Sequence, residues 1–157
     1  MTIREAVTPE HIEVARALFC EYAASLSIDL AFQHFSEELA ALPGPYVPPS
    51  GGLFIAWDED LAIGCVALRP LEPPEIAELK RLFVRPGNRG RGIGMALCRT
   101  ALDRARTEGY TRVRLDTLPD MHDARRLYTA LGFRKIPPYC FNPIEGAIFM
   151  EVSLGDV

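Results

Sequence analysis

Hydrophobic residues recur at helical spacing in the first quarter of the chain. Thr8-Pro9-Glu10 has the composition of a helix start, with a capping threonine, a proline at the first helical position and an acid in the first turn. The apolar positions that follow it at helical spacing are Ile12, Ala15, Leu18, Phe19 and Tyr22. A second helix is predicted from about residue 30 to residue 42, where Pro43-Gly44 ends it.

From residue 53 onward the apolar runs are short and bounded by turn residues, which is typical of strands. Together with a first strand at residues 2–7, the predicted strands cover residues 53–57, 61–68, 77–84, 112–117 and 147–154. Two helices separate the last three strands, one over about residues 92–106 and one that starts at Pro119-Asp120 and ends at Gly132. This order predicts an α/β protein in which a mixed sheet carries helices on both faces, in a single domain of residues 1–157.

The composition is that of an ordinary soluble globular protein, with 48% hydrophobic and 24% charged residues. No apolar run approaches the roughly 20 residues of a membrane helix, and the N-terminus has no secretory signal pattern. We therefore expect a cytoplasmic protein with no membrane partner. The four cysteines and three histidines are dispersed without ligand spacing, so we expect free thiols and no metal site.

Charge is distributed unevenly between the two halves of the chain. Residues 1–79 hold 3 basic and 13 acidic side chains, a formal charge of −10, whereas residues 80–157 hold 14 basic and 8 acidic ones, a formal charge of +6. This count argues against a nucleic-acid partner. The asymmetry predicts an anionic ligand at the second half and a cationic one at the first, and the alternative is that acidic surface helices simply lie early in the chain.

The clearest candidate binding site is the turn Arg89-Gly90-Arg91-Gly92-Ile93-Gly94, which joins the predicted strand 77–84 to the predicted helix 92–106. Glycine lets a backbone approach a ligand closely and adopt positive φ, and a helix N-terminus presents unpaired N–H groups and partial positive charge. Residues 80–91 also hold five basic side chains and no acid. These features together predict a site for a pyrophosphate.

Other classes of phosphate site fit this turn less well. A P-loop needs a Lys-Ser or Lys-Thr pair after its glycines, and none follows here. A dinucleotide fingerprint needs glycine where Met95 stands, although Asp116 occupies a position that suits a ribose-binding acid. A surface turn that binds nothing leaves the clustered arginines unexplained.

Residues 78–94 resemble the acyl-CoA signature of the GNAT superfamily of N-acetyltransferases. The stretch Glu78-Leu79-Lys80-Arg81-Leu82-Phe83-Val84-Arg85-Pro86 leads into Arg89–Gly94, which fits the family pattern (Q/R)-x-x-G-x-(G/A). A later segment, Ala124-x-x-Leu127-Tyr128-x-x-Leu131-Gly132-Phe133, resembles the family's next motif, and the match covers about residues 53–135. The resemblance implies a GNAT-like fold and an acyl-CoA-dependent N-acetyltransferase.

The resemblance also implies which residues hold acetyl-CoA, the expected co-substrate. In the family, the backbone that matches Leu82, Phe83 and Val84 pairs with the pantetheine arm like an added strand. The amides that hold the pyrophosphate match Arg89, Gly90, Arg91, Gly92, Ile93 and Gly94. The family strand usually splays from its neighbour and leaves a cleft for the thioester.

One implied catalytic residue is Tyr128, which matches the tyrosine that often protonates the departing thiolate in this family. A phenol of pKa about 10 can donate a proton at neutral pH. The alternative is a tyrosine with a structural role only, because Tyr128 lies on the apolar stripe of its predicted helix with Leu127 and Leu131.

The second implied catalytic residue is Glu78, which lies where the family carries a carboxylate that deprotonates the amine. Glu75 is a weaker substitute, and a salt bridge to Lys80 is the alternative role for Glu78. In a regular strand, Glu78 shares one face with Lys80, Leu82 and Val84. A backbone amide near the end of this strand is expected to stabilise the oxyanion.

Two positions qualify this mechanism. Many family members carry Asn seven residues before the tyrosine, where it touches the cofactor arm, and this chain has Met121 there. That contact is then lost or is supplied by His122 or Asp123. Cys140 suggests a covalent acetyl-cysteine, but no histidine lies near it in sequence, so direct transfer is favoured.

The acceptor is less well specified than the donor. The Pro-rich loops 43–52 and 136–146 are expected to build the substrate wall, and the acidic first half, including Glu37 and Glu38, favours a small cationic amine or a peptide amine. A coenzyme A-binding regulator without catalysis, or an interaction module without cofactor, remains an alternative. Similar folds are commonly dimers, so a homodimer is compatible with the chain.

Overall fold

Seven strands form one mixed sheet in the computed structural model, which describes residues 1–155. The strands are β1 (Thr2–Glu5), β2 (Gly52–Asp58), β3 (Leu61–Pro70), β4 (Ile76–Val84), β5 (Arg112–Thr117), β6 (Arg134–Ile136) and β7 (Ile148–Ser153). Their order across the sheet is β1-β2-β3-β4-β5-β7-β6. Every neighbouring pair is antiparallel except β4 and β5, which run parallel at the centre.

Four α-helices cover the two faces of the sheet, as the apolar pattern predicts. They are α1 (Pro9–Ser25), α2 (Phe35–Ala41), α3 (Ile93–Thr107) and α4 (His122–Ala130), with short 3₁₀ turns at Leu30–Gln33 and Pro86–Asn88. One core cluster lies under α3 and α4 and the other under α1 and α2. No helix within residues 1–155 is both long and apolar enough to cross a bilayer.

The start of α1 follows the predicted chemistry. The Thr8 hydroxyl accepts a hydrogen bond from the His11 amide at 3.2 Å, and Pro9 occupies the first helical position. The predicted second helix is divided in two, because His34 adopts a left-handed conformation with φ of 56° between the 3₁₀ turn and α2. The short strand β6 was not predicted, since three residues at a sheet edge carry too little pattern.

A β-bulge in β4 determines the shape of the functional site. Phe83 pairs with Cys65 and Lys80 pairs with Ala67, so β4 has one more residue than β3 in this interval. Arg81 occupies the bulge with φ of +60°, which is uncommon for a residue with a large side chain. The pairing of β4 with β5 ends at Glu78, three residues before the bulge.

Candidate functional site

The central feature of the site is a cleft where β4 and β5 separate. The two strands pair only from Ile76↔Arg112 to Glu78↔Arg114, although β4 continues to Val84 and β5 to Thr117. We call this gap the β4–β5 cleft; Leu79–Leu82 line one side and Asp116–Leu118 line the other. The space between the two sides amounts to about 570 Å³ when open solvent is included. The splayed strand pair expected from the resemblance is therefore present.

The predicted phosphate turn follows the end of β4 and leads into α3. Gly90 and Gly92 have φ of +79° and +77°, and a Cβ atom added to either would meet nothing within 4 Å. Within residues 1–155, the N–H groups of residues 90–95 form no backbone hydrogen bond, and α3 has no side-chain N-cap. The turn therefore presents a row of free donors beside open space, as an anion site requires.

The arginines around this turn have different roles. Arg85 is bound by Glu21 through hydrogen bonds of 2.9 and 2.6 Å, so its charge is already compensated. Arg89 donates to the Val84 carbonyl at 2.9 Å and lies over the Phe83 ring at 5.9 Å. Arg89 and Arg91 are exposed, which leaves both cations accessible beside the free amides.

Tyr128 is positioned by the C-terminus of α4. The Phe133 amide donates to the Tyr128 carbonyl at 3.0 Å and the Gly132 amide donates to the Thr129 carbonyl at 3.0 Å, which is a Schellman motif. Gly132 has φ of +96°, a conformation that glycine adopts without strain. The motif folds Phe133 back so that its ring lies 5.7 Å from the Tyr128 ring. The segment Leu131-Gly132-Phe133 thus fixes the phenol physically.

The Tyr128 side chain is buried, yet Tyr128 is one of the residues that line the β4–β5 cleft. This hydroxyl has no hydrogen-bond partner among residues 1–155, and it is not one of the fully enclosed polar atoms that lack a partner. Burial raises the pKa of Tyr128 well above its usual value, so the phenol is protonated at neutral pH. A free donor in the cleft is what protonation of a leaving group requires.

The bulge in β4 is held by an ion pair with α2. The Arg81 guanidinium donates to both carboxylate oxygens of Glu38 at 2.9 Å and to the Gln33 side chain at 2.6 Å. It lies 5.1 Å from the centre of the Phe35 ring, and only 2% of its side chain is exposed. Glu38 raises the pKa of the Arg81 guanidinium despite its burial, so the cation is retained. Glu38 therefore presents no free charge to an acceptor.

Glu78 lies at the base of the cleft, where β4 and β5 still pair. Its carboxylate accepts a hydrogen bond from the Tyr139 hydroxyl at 2.7 Å and forms an ion pair with Arg69 at 3.2 Å. Only 4% of the residue is exposed, and it is not among the residues that line the cleft. Burial and the neighbouring Glu78 carboxylate raise the pKa of Tyr139, so this phenol remains a hydrogen-bond donor. Glu75 is exposed and also lies outside the cleft.

The expectation that Glu78 shares a face with Leu82 and Val84 is wrong. Leu82 and Val84 pack against the core under α3 and α4, the same core that contains Leu79. Lys80 points to the opposite face, where its ammonium lies 3.4 Å from the Gln33 side-chain oxygen. The bulge at Arg81 reverses the alternation of the strand, which an ideal strand period does not anticipate.

Met121 lines the cleft at the start of α4. Its sulfur accepts a weak hydrogen bond from the Thr117 hydroxyl at 3.4 Å. Neither His122 nor Asp123, the two substitutes considered for the usual Asn, lines the cleft. An amide does reach the cleft from another element, because Asn142, in the loop before β7, lines it and donates to Asp116 at 3.0 Å. The sequence pattern did not indicate this residue.

The wall of the cleft is built by different segments from those predicted. The loop 136–146 contributes Asn142, but the loop 43–52 does not line the cleft, and Tyr46 is buried against Phe19. The missing wall comes from the connection between α1 and α2, residues 26–33. This segment has no marked loop composition, so the pattern indicated a helix there instead.

Part of the charge asymmetry between the halves is used in ion pairs inside the fold. Three ion pairs join an acid of the first half to an arginine of the second: Glu5–Arg104 at 2.7 Å, Glu21–Arg85 at 2.6 Å and Glu38–Arg81 at 2.9 Å. These acids are therefore not available to a cationic ligand. Of the two acids named in support of a cationic acceptor, Glu38 is thus already paired, whereas Glu37 is exposed.

These elements together define an α/β domain that is suited to a long anionic ligand. The free amides of the turn are suited to bind a phosphate group. The unpaired edge of β4 beyond Glu78 is suited to pair with an extended chain, and the cleft can take the far end of that chain. A buried phenol lies where the end of such a ligand would lie. This combination is the architecture of an acyl-CoA transferase.

The chain belongs to the acetyltransferase (GNAT) family, whose model matches residues 14–133. An uncharacterized N-acetyltransferase of Schizosaccharomyces pombe is 36% identical over 155 residues, which is 98% of this chain and 95% of that protein. The resemblance inferred from the two motifs is thereby confirmed.

Solved structures agree on the fold. A GNAT-family acetyltransferase from Staphylococcus aureus superposes with a TM-score of 0.79 at 21% identity, over 98% of this chain and 99% of that one. A putative acetyltransferase from Salmonella typhimurium, solved with its cofactor acetyl-CoA, gives a TM-score of 0.70 at 17% identity, over 100% and 95% of the two chains. The predicted GNAT-like fold is therefore confirmed.

Proposed function

We propose that this protein transfers the acetyl group of acetyl-CoA directly to a primary amine of a small molecule or peptide. The observation that carries the proposal is the opening of the central parallel strand pair after Glu78. Three features support it: the free edge of β4 beside the opening, the free amides of residues 90–95 that follow β4 in the chain, and Tyr128, which lines the cleft.

The residues present fit acetyl-CoA as co-substrate. The free backbone amides of Gly90, Arg91, Gly92, Ile93 and Gly94 would hold the pyrophosphate. The Arg89 amide already donates to the Pro86 carbonyl at 3.4 Å, so Arg89, like Arg91, would contribute its exposed side chain through charge-assisted hydrogen bonds. The edge of β4 at Leu82, Phe83 and Val84 would pair with the amides of the pantetheine arm. When bound, acetyl-CoA supplies an activated thioester. This role depends on backbone donors, so it is compatible with Met121 in place of the usual Asn.

Tyr128 is the proposed general acid. The amine nitrogen attacks the acetyl carbon, and the Tyr128 hydroxyl gives its proton to the sulfur as the carbon–sulfur bond breaks. The phenol then recovers a proton from solvent. A backbone amide near Phe83 or Val84 is the proposed donor to the oxyanion, since the side chains of both residues are apolar.

Glu78 is the proposed general base, acting through water rather than by direct contact. The attacking amine must lose a proton, because an alkylammonium ion is not a nucleophile. Glu78 and Tyr139, the phenol that donates to it, both lie outside the lining of the cleft, so the proton of the amine would reach the carboxylate through water.

An acetyl-cysteine intermediate is not part of the proposal. Burial and the nearby Asp116 raise the pKa of the Cys140 thiol to about 11, so the nucleophilic thiolate is scarce at neutral pH. Among residues 1–155, no three His, Cys, Asp or Glu side chains converge in a group that would hold a metal ion.

A calorimetric titration with coenzyme A tests the binding half of the proposal. Gly92→Ala forces a side chain onto a residue with φ of +77°, and we expect the resulting distortion to weaken binding about tenfold or more. Gly87→Ala is the matched control, because Gly87 has an ordinary φ and free space around it, and its Kd should stay within twofold. Equal Kd values for both variants would contradict the assignment of the turn.

A further inference from the structure

Two opposite charges line the β4–β5 cleft without neutralising each other. Lys80 lies on β4 and Asp116 lies on β5, on the sheet face opposite the core that contains Leu79 and Leu115. Within residues 1–155 the two side chains form no salt bridge, which would require a distance of 4.0 Å or less. Arg81, the other cation of the cleft, is already paired with Glu38.

Each of these two charges is held by a neutral amide from a neighbouring segment. The Lys80 ammonium lies 3.4 Å from the Gln33 side-chain oxygen, and the Asp116 carboxylate accepts from the Asn142 side chain at 3.0 Å. An ammonium has three donors and a carboxylate has about four acceptor sites, so each retains hydrogen-bonding capacity. The amides orient the charges without cancelling them.

The two charges line the same cleft from opposite strands, and so do the two amides that hold them, Gln33 and Asn142. The connection between α1 and α2 adds the apolar side chains Leu26, Ile28, Leu30 and Phe32 to the lining of the cleft. Phe32 also meets Phe141 edge-on at 6.4 Å, so the two flanking loops approach each other.

We infer that the acceptor is an amine that also carries a carboxylate, such as a free amino acid, with its ammonium on Asp116 and its carboxylate on Lys80. The inference rests on the proposed function and narrows its substrate class. An acceptor that carries only positive charge can form an ion pair with Asp116, but its charge is repelled by the Lys80 ammonium. A zwitterion can form an ion pair with each of the two residues. The apolar walls then meet an apolar side chain of the acceptor.

Asp116 and Lys80 are specificity-determining residues in this account, whereas Glu78 and Tyr128 perform the proton transfers. Binding of the acceptor therefore separates from turnover in the kinetics. Changes at Lys80 and Asp116 raise the KM for the acceptor, and changes at Tyr128 lower kcat.

The test follows thiol release from acetyl-CoA by the full chain over a panel of free amino acids, amines, peptides and aminoglycosides. The best acceptor of the panel is compared with two derivatives that have the same side chain. One has an amide in place of the carboxylate, and the other lacks the carboxylate. L-Leucine, L-leucinamide and 3-methylbutylamine are one such set. We expect the free amino acid to have a KM lower by about tenfold or more, as loss of a charge-assisted hydrogen bond implies.

Two pairs of variants make the test specific to the cleft. Lys80→Met should remove the preference for the free amino acid over its amide, whereas Lys135→Met, an exposed lysine on β6, should keep it. Asp116→Asn should raise the KM of all three compounds about tenfold. Asp120→Asn, which changes an exposed aspartate, should leave these KM values unchanged.

Each outcome is decisive. A best acceptor without a carboxylate, or a preference that persists in Lys80→Met, overturns the inference and leaves the proposed function intact. No thiol release with any member of the panel instead contradicts the proposed function itself.

Discussion

Tyr128 is fixed by its backbone and its ring, while its hydroxyl is left free. The Schellman motif at Gly132 and the contact with Phe133 locate the phenol, and no protein group among residues 1–155 accepts its proton. A tyrosine with a purely structural role would be expected to pair its hydroxyl, because an unpaired buried polar group costs free energy. This arrangement supports the catalytic alternative over the structural one.

Replacing Tyr128 with phenylalanine tests that role. We expect kcat to fall about a hundredfold, because the leaving thiolate loses its proton donor, and the Kd for coenzyme A to stay within twofold. The melting temperature should hardly change, since the hydroxyl makes no hydrogen bond to protein within residues 1–155. Steady-state kinetics, calorimetry and thermal unfolding measure the three quantities, and an unchanged kcat would remove Tyr128 from the mechanism.

The pH dependence of kcat follows from the same burial. The acid works only while the phenol is protonated, and burial moves its pKa upward. Activity that depends on this proton is therefore present at neutral pH and is lost only above the usual tyrosine pKa of about 10. A pH–rate profile should show no loss of kcat between pH 8 and 10; a decline there that is absent from Tyr128→Phe would contradict a raised pKa.

Glu78 is the proposed general base and is also the buried partner of Arg69 and Tyr139. Replacing it should therefore affect both activity and stability. Glu78→Gln should lower kcat by about ten- to a hundredfold, because the carboxylate no longer receives the proton of the amine. It should also lower stability by about 1–3 kcal/mol, since Arg69 and Tyr139 lose their charged partner. Glu75→Gln, which changes an exposed acid in the same segment, should alter neither. Lower stability with full activity would leave Glu78 with a structural role only.

At the scale of elements, the parts of the site that follow a residue pattern were predictable. Glycines mark the phosphate turn and the end of α4, and Thr8-Pro9 marks the start of α1, because each supplies a particular conformation or hydrogen bond. The bulge in β4 was not predictable, since its residue with positive φ is an arginine and no glycine marks it. Its stability depends on Glu38, which is 43 residues away in sequence.

Removing the Glu38 carboxylate, the ion-pair partner of Arg81, should destabilise the bulge in β4. Glu38→Gln leaves the buried Arg81 cation without its carboxylate, and we expect a loss of about 3–5 kcal/mol in the free energy of unfolding. Glu37→Gln is a close control, because the adjacent Glu37 is exposed, and it should change stability by less than about 0.5 kcal/mol. Urea unfolding measures both, and equal stabilities would show that α2 does not hold the bulge.

At the scale of the whole molecule, the sequence predicted the sheet and the two helical layers, because these depend on periodicity, while the residues of the donor site stay a prediction drawn from local backbone chemistry. The proposed acceptor site was not predictable, since the cleft is assembled from the α1–α2 connection, two strand ends and the loop before β7. Side chains such as Asp116 and Asn142 become neighbours only in the folded chain. Part of the charge asymmetry likewise proved to be internal ion pairing.

The measurement that tests the central claim most directly is thiol release from acetyl-CoA in the presence of an amine panel, with mass spectrometry of the product. The account predicts one coenzyme A thiol and one N-acetylated amine per turnover, and loss of most of this turnover in Tyr128→Phe. Tight binding of coenzyme A without release by any amine would contradict it and indicate a regulator that has lost catalysis; no binding at all would indicate an interaction module.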